Sequence, residues 1–317
     1  MRRLAVPFMI LLATRARAEG PAPATIIGAA GRPPDAVALV GQGGEIFLRD
    51  GGVWRRHGGG VAAALARAWG PSSTEVWAAG ARPPIYQHDG RSWSAVPGTS
   101  GAGGPSLLAE PWSPLPALAV GRRIFVLEGK HLVPATAAPG LPTALWAAAA
   151  KDLSVLVDGK LLHYTPNGGW KPVPGAGESL VAIGPRVALG QDGGVYTIDS
   201  KLHKIAPEDA TLAGFRPRLV ALGKRMILVG ALGDGYAAAA LDGGKLVLLG
   251  RLPGLARADE PVGLAVGDAE MIIVSRSGLV LAGDGKSWKT EAIAAAVSEA
   301  PHAAEPPARI PVPDAPP

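Results

Sequence analysis

The chain has 317 residues, of which 44 are Gly and 31 Pro, yet 48% are apolar, 18% are charged and the mean hydropathy is +0.21. Disordered chains are poor in apolar residues and rich in charge, so this composition excludes a disordered protein and describes a folded one dense in turns and averse to long helices. No Cys is present, which excludes a disulfide framework, a thiolate metal site and a lipoprotein anchor.

The formal charge of +5 is concentrated at the start of the chain. Arg2 and Arg3 precede an apolar run from Leu4 to Ala13, and Arg15 and Arg17 stand beside the small residues Ala16 and Ala18. This is the pattern of a secretory signal peptide over 1–18, followed by a short lead, 19–23. The apolar run is about half of the roughly 20 residues that a membrane-crossing helix needs, so no integral span is expected. Cleavage after Ala18 leaves 27 basic and 26 acidic side chains, a net charge of +1. That balance lacks the electrostatic footprint of a nucleic-acid binder. The expected location is the periplasm or outside the cell.

Downstream, one unit is written most fully over residues 61–97 as four short apolar runs: VAAALARAWG, TEVWAAGA, PPIYQHDG and RSWSAVP. The third and fourth runs meet at Asp89 and Gly90, a pair favoured in tight type I′ hairpins because both central residues take positive φ. Equivalent turns fall at Asp50, Glu128, Asn167, Asp199, Asp242 and Asp284, with successive spacings of 39, 39, 39, 32, 43 and 42 residues. Three or four residues after each anchor stands a bulky apolar side chain: Trp54, Trp93, Leu132, Trp170, Leu202, Leu246 and Trp288. Strand-like runs precede every anchor, as in EIFLRD, RIFVLE and GYAAAALD, and earlier runs such as AVALVG, RVALG and MIIVS often close on Gly.

A period near 40 residues with four short strands per unit is that of a β-propeller blade. Blades stack because one sheet cannot bury both of its faces alone. The expected fold is all-β, a seven-bladed β-propeller of four-stranded antiparallel blades over 24–291. The short fifth unit leaves six or eight blades as alternatives. Residues 292–317 read as an Ala/Pro-rich, disordered tail.

The stretch WGPSSTEVWAAGARPPIYQHDGRSWSAVP, residues 69–97, resembles the bacterial exported propeller repeats of the form W-G-x-S-x-x-D-V-W-A-V-G followed by I-x-H-Y-D-G-x-x-W. The resemblance implies a propeller outside the cytoplasm, in a family usually without an assigned activity. HDGRSWS and GDGKSWKT also resemble, distantly, the Asp-box of sialidase-like propellers, although here Gly follows Asp directly and Trp comes one residue early.

Motifs that carry chemistry are sparse. GDGKS lacks the upstream Gly of a phosphate-binding loop, since Val280 stands there, and no helix pattern follows. The histidines His57, His88, His131, His163, His203 and His302 are scattered, with neither metal-ligand nor catalytic spacing, and read as surface or rim residues. No cofactor, metal or catalytic residue is assigned. A glycosidase needs two carboxylates about 5–9.5 Å apart, and a closed ring brings distant residues together, so a glycan-processing, sialidase-like enzyme is the alternative to a non-catalytic scaffold. In that alternative, Arg82, Arg122 and Arg276 are candidates to converge on a carboxylate. Trp54, Trp93, Trp170 and Trp288 recur in register and read as packing between blades, whereas Trp112 and Trp146 fall outside it.

In an antiparallel blade the Asp-Gly turns share one face, and the opposite face receives the loops between second and third strands, which differ in every unit. Variable loops on a rigid scaffold carry recognition. Gln42, Arg82, Arg122, Gln191 and Arg276 are therefore expected to border a binding face for a protein or glycan partner, in a monomeric scaffold.

Overall fold

The structure is a computed structural model that describes residues 24–294, apart from 34–35, 51, 98, 100–105, 110–112, 114, 129–130, 176–178, 185, 206–209 and 224. The leader, almost the whole tail, Trp112, His302 and the side chain of His131 lie outside the described residues. Within them the chain forms 28 strands and one 3₁₀ turn at Ala210–Leu212. The strands follow one another as four-stranded antiparallel meanders, each in strict chain order.

Burial is greatest in the second strand of a meander and falls toward the last. Leading and second strands such as Ile26–Ala30, Ala38–Gly41 and Met226–Leu232 are buried along their whole length, whereas the fourth strand Trp288–Ile293 is mostly exposed. Inner strands are covered on both faces by neighbouring sheets, which is why they read as unbroken apolar runs instead of alternations. Apolar cores lie between successive meanders. One joins Trp69, Trp77 and Ile85 to Leu108, Leu118 and Val120, and another joins Val187, Leu189 and Val195 to Val220, Leu228 and Ala239. The series returns on itself where Ile26, Leu39, Phe47 and Trp54 pack with Ala265, Ile272, Val274 and Val280. At roughly 1.5–3 kcal/mol for each fully buried large aliphatic side chain, these cores dominate the stability.

Four meanders are separate four-stranded sheets, and the remaining strands form one twelve-stranded sheet. Two short parallel contacts create that large sheet. Gly28 lies opposite Ala68, and the pair Ala292 and Ile293 lies opposite Val53 and Trp54. The first contact requires glycine, because a Cβ at residue 28 would collide with the Ala68 carbonyl oxygen.

The seam between the last meander and the first is polar as well as apolar. Arg49 donates through Nη1 and Nη2 to the two carboxylate oxygens of Glu270, at 2.7 and 2.9 Å, and through Nε to Glu291 Oε1 at 3.1 Å, with Nη2 also close to that oxygen. The other Glu291 oxygen accepts the indole N–H of the fully buried Trp54 at 2.9 Å. Hydrogen bonds donated to Glu270 and Glu291 raise the Arg49 pKa, and Arg49 in turn holds Glu270 below the ordinary carboxylate value. Ile26 N–H donates to the Arg276 carbonyl at 3.1 Å and Ala294 N–H to the Trp54 carbonyl at 2.8 Å, stitching the same seam.

The recurrent tryptophans pack between meanders, as their register predicts. Trp93 donates its indole N–H back to the Gly44 carbonyl at 2.7 Å, and Trp170 to the Ala137 carbonyl at 2.8 Å, each in the preceding meander.

All seven anchors lie at the junction between third and fourth strands; at Asp242 the two loop residues Gly243 and Gly244 take φ 56° and 79°, as the expected type I′ hairpin requires, whereas the turns at Asp89 and Asp284 differ from it. Among the described residues the only non-glycine positive φ values belong to Asp158 and Arg186, so none of the described Asp anchors is left-handed. At Asp89 and Asp284 the anchor side chain closes the turn. Asp89 Oδ1 accepts the amides of Arg91 and Ser92 at 2.9 and 2.8 Å, and Asp284 Oδ1 accepts those of Lys286 and Ser287, both at 2.8 Å. Those amide bonds hold both carboxylates below the ordinary Asp pKa. An Asp-Gly pair with both φ values positive does occur, at Asp158 and Gly159, φ 51° and 72°, in a loop between second and third strands. His88 also departs from the surface reading. It is buried, its Nδ1 accepts the Gly90 amide at 3.1 Å, and its ring meets Trp93 edge-on at 5.1 Å.

Candidate functional site

The leading strands converge on two cavities, one at each of their ends, separated by the buried indole of Trp69, which lines both. The larger, about 640 Å³, opens where the leading strands begin and where the loops between second and third strands gather. That volume is in the range of sites that take small molecules or short segments of a partner.

Its charged lining is one-sided. Arg67 begins the strand Arg67–Ser72, Arg216 and Arg218 lie on Arg216–Leu222, and Arg276 follows the strand Met271–Ser275. A register shift between Pro217 and Leu219 interrupts the alternation at Arg218, and both Arg216 and Arg218 line the cavity. Glu260 is the one carboxylate of the lining among the described residues, and it engages Arg276 at 3.3 Å. Arg67, Arg216 and Arg218 form no ion pair with the described residues, and all three are exposed. Apart from Gln191 the side chains of the remaining wall are apolar, with Leu108, Val181, Leu219 and Val262 prominent. The smaller cavity, about 300 Å³, has Arg32 as its charged residue, and Arg32 is matched by Asp268 at 2.8 Å.

Asp259 fixes the loop that carries Arg276. Its Oδ2 accepts the hydroxyls of Ser275 and Ser277 at 2.6 and 2.5 Å, and its Oδ1 accepts the Ser277 amide at 3.0 Å. Burial pushes the Asp259 pKa up, but these three hydrogen bonds outweigh it and leave the group below the ordinary value.

All five residues expected on the binding face are exposed. Each lies in the connection between a second and a third strand. The structure brings two of them, Gln191 and Arg276, into the cavity, and Gln42, Arg82 and Arg122 are not part of its lining. Arg122 instead donates its Nε to the Ala138 carbonyl at 2.8 Å. The trio Arg82, Arg122 and Arg276 therefore does not converge there. Sequence reasoning missed Arg67, Arg216, Arg218 and Glu260. The available signal was position, since each stands at or just before the start of a leading run, where side chains reach the axis.

No protein-family model matches the chain, and no curated protein does. Solved structures match its shape. A structure of YCF48 bound to D1 peptide superposes with a TM-score of 0.61 at 17% identity, covering 83% of this chain and 94% of that one. The β-propeller domain of Cps50 (Swd1) from Myceliophteria thermophila gives 0.56 at 13%, covering 80% and 93%. The fold is a β-propeller. A catalytically inactive virginiamycin B lyase from Staphylococcus aureus, solved with quinupristin, gives 0.59 at 11%, covering 82% and 94%. These propeller relatives in shape include binding proteins and a lyase, so likeness assigns the architecture and leaves chemistry to the site. In this propeller the candidate site is the arginine-lined cavity at the start of the leading strands.

Proposed function

We propose that the chain is an exported, seven-bladed propeller that acts as a monomeric, non-catalytic binding scaffold, with the arginine-lined axial cavity as its receptor site. The observation that carries this reading is a built cavity, walled by inner strands and rimmed by variable loops, in which three of the four guanidiniums, those of Arg67, Arg216 and Arg218, have no ion-pair partner among the described residues. The meander count, the return of the apolar cores to the first meander and the repeat spacing support seven blades over about 24–291. The leader pattern supports export, to the periplasm or beyond. One propeller of similar shape is described as bound to a peptide, which favours a protein partner. The glycan-processing alternative asks for two facing carboxylates, and Glu260, already engaged by Arg276, stands alone in the lining among the described residues.

The test is capture of partners from envelope extract by the mature protein, compared with a Gln191→Ala/Arg276→Ala variant of unchanged melting temperature. Weakened capture by the variant supports the reading. Turnover of model glycosides that disappears on Glu260→Gln replaces it with the enzyme. Fusion to a reporter active only after export tests location, and a cytoplasmic, uncleaved product refutes it.

A further inference from the structure

We infer that the axial cavity binds an extended acidic segment of a partner polypeptide, through Arg67, Arg216 and Arg218. The inference rests on the scaffold reading and adds the chemistry of the ligand.

Charge comes first. Without its leader the chain is close to neutral, at +1. Yet four arginines and a single glutamate line this one cavity, and the glutamate is matched to Arg276. Three fixed positive charges remain at the mouth of a partly enclosed space, where the field is focused and an anion gains most. Guanidiniums present a planar fork of donors that fits carboxylates two bonds at a time. Elsewhere the protein satisfies arginine in that manner, as Arg49 does with Glu270.

Spacing comes next. Arg216 and Arg218 flank Pro217 at the bulged start of one strand, and both reach the cavity. An extended peptide spaces alternate side chains about 7 Å apart, so a segment with acids at every second position offers several carboxylates to these separated cations. Arg67, on a different meander, faces the cavity from another wall and supplies a further contact. The residues between those acids point the other way, and the wall has apolar patches for them at Leu108, Val181 and Leu219.

Stacking separates this ligand from sugars and nucleotides, whose rings are commonly gripped against exposed aromatic faces. Trp69 is the sole aromatic residue of the lining and is only 4% exposed. It forms the floor and offers no open ring.

The experiment uses the mature protein and a short fluorescent peptide, acetylated and amidated, in which Asp and Leu alternate. Saturable anisotropy at low salt is expected, weakening as salt rises. An Asn/Leu counterpart should bind at least about tenfold more weakly, and each single Arg67→Gln, Arg216→Gln or Arg218→Gln change should cost about tenfold. Melting temperatures of the variants should match the parent, which separates lost binding from lost folding. Equal binding of the Asn/Leu peptide, or retention by the triple variant, overturns the inference. If a sulfated oligosaccharide binds through the three arginines and the Asp/Leu peptide does not, the peptide assignment falls and the scaffold reading stands. If a partner captured from extract binds the triple variant and the Gln191→Ala/Arg276→Ala variant unimpaired, the cavity falls as receptor and both readings fail.

Discussion

Two arginine clusters in this molecule have opposite surroundings. At the seam between last and first meanders, Arg49 is saturated by Glu270 and Glu291, and Glu291 is further held by the buried indole of Trp54. At the axial cavity, Arg67, Arg216 and Arg218 face a wall whose one carboxylate is engaged elsewhere. The first arrangement fastens the ring, and the second leaves charge available to a partner. On the proposed reading the satisfied arginine serves stability and the unsatisfied ones serve recognition, and each can be removed separately.

The largest effect is expected at the seam. Arg49→Ala leaves Glu291, 7% exposed, without its cation, and truncating one member of a buried pair costs about 3 kcal/mol. A drop in the midpoint of urea unfolding at unchanged slope checks this. Replacing the whole cluster, with Arg49→Met, Glu270→Gln and Glu291→Gln together, should recover part of the loss, because a neutral amide is penalised less by burial than an unpaired carboxylate. A triple variant weaker than Arg49→Ala would show that the charges themselves hold the ring.

A smaller effect is expected at Asp259, which stabilises the Arg276 loop without touching the cavity. Asp259→Ala should cost about 1–2 kcal/mol through loss of charged hydrogen bonds to Ser275 and Ser277. It should also speed amide hydrogen exchange at Ser277, whose N–H loses its acceptor. Unchanged exchange would remove Asp259 as the positioning residue of that loop.

Acid acts on the Asp-turn side of the fold. Burial, with a contribution from His57, holds the His88 pKa below 6.5, although Asp89 opposes this. The unfolded chain therefore takes up a proton that the folded chain refuses. Stability is full above about pH 6.5 and falls as pH drops from there toward the lower folded pKa. Below that window the depressed carboxylates, Glu270 among them, lose their contribution as pH falls through their folded values. Melting temperature against pH should show the upper step in the parent and lack it in His88→Gln.

The smallest stability effect is expected at the cavity, where substituting exposed Arg67, Arg216 or Arg218 by Gln should change unfolding free energy by less than about 0.5 kcal/mol.

Much of the fold was legible because the signal is local. The anchor from Asp50 to Asp284, the bulky residue after it and the apolar runs before it each lie within one meander, and the structure puts the turns and strands there. Turn type at Asp89 and Asp284 was misread for a local reason too. Asp in this context bonds the following amides with its side chain, so Asp89 and Asp284 need no left-handed backbone. The site was legible only in part. Gln191 and Arg276 sit on loops whose face follows from antiparallel order, whereas Arg67 meets Arg216 and Arg218 only after the meanders pack around an axis. Arg49 and Glu291 are likewise 242 positions apart and meet only at the seam. Proximity made by closure leaves no trace in spacing.

The most direct test is a crossed comparison of Arg49→Ala with the Arg67→Gln/Arg216→Gln/Arg218→Gln variant, measuring melting temperature and affinity for the Asp/Leu peptide at a temperature where both remain folded. The account predicts that Arg49→Ala melts several degrees lower with unchanged peptide affinity, while the cavity variant melts with the parent and binds the peptide at least about a hundredfold more weakly. A cavity variant that melts as early as Arg49→Ala, or that binds the peptide as the parent does, would contradict it.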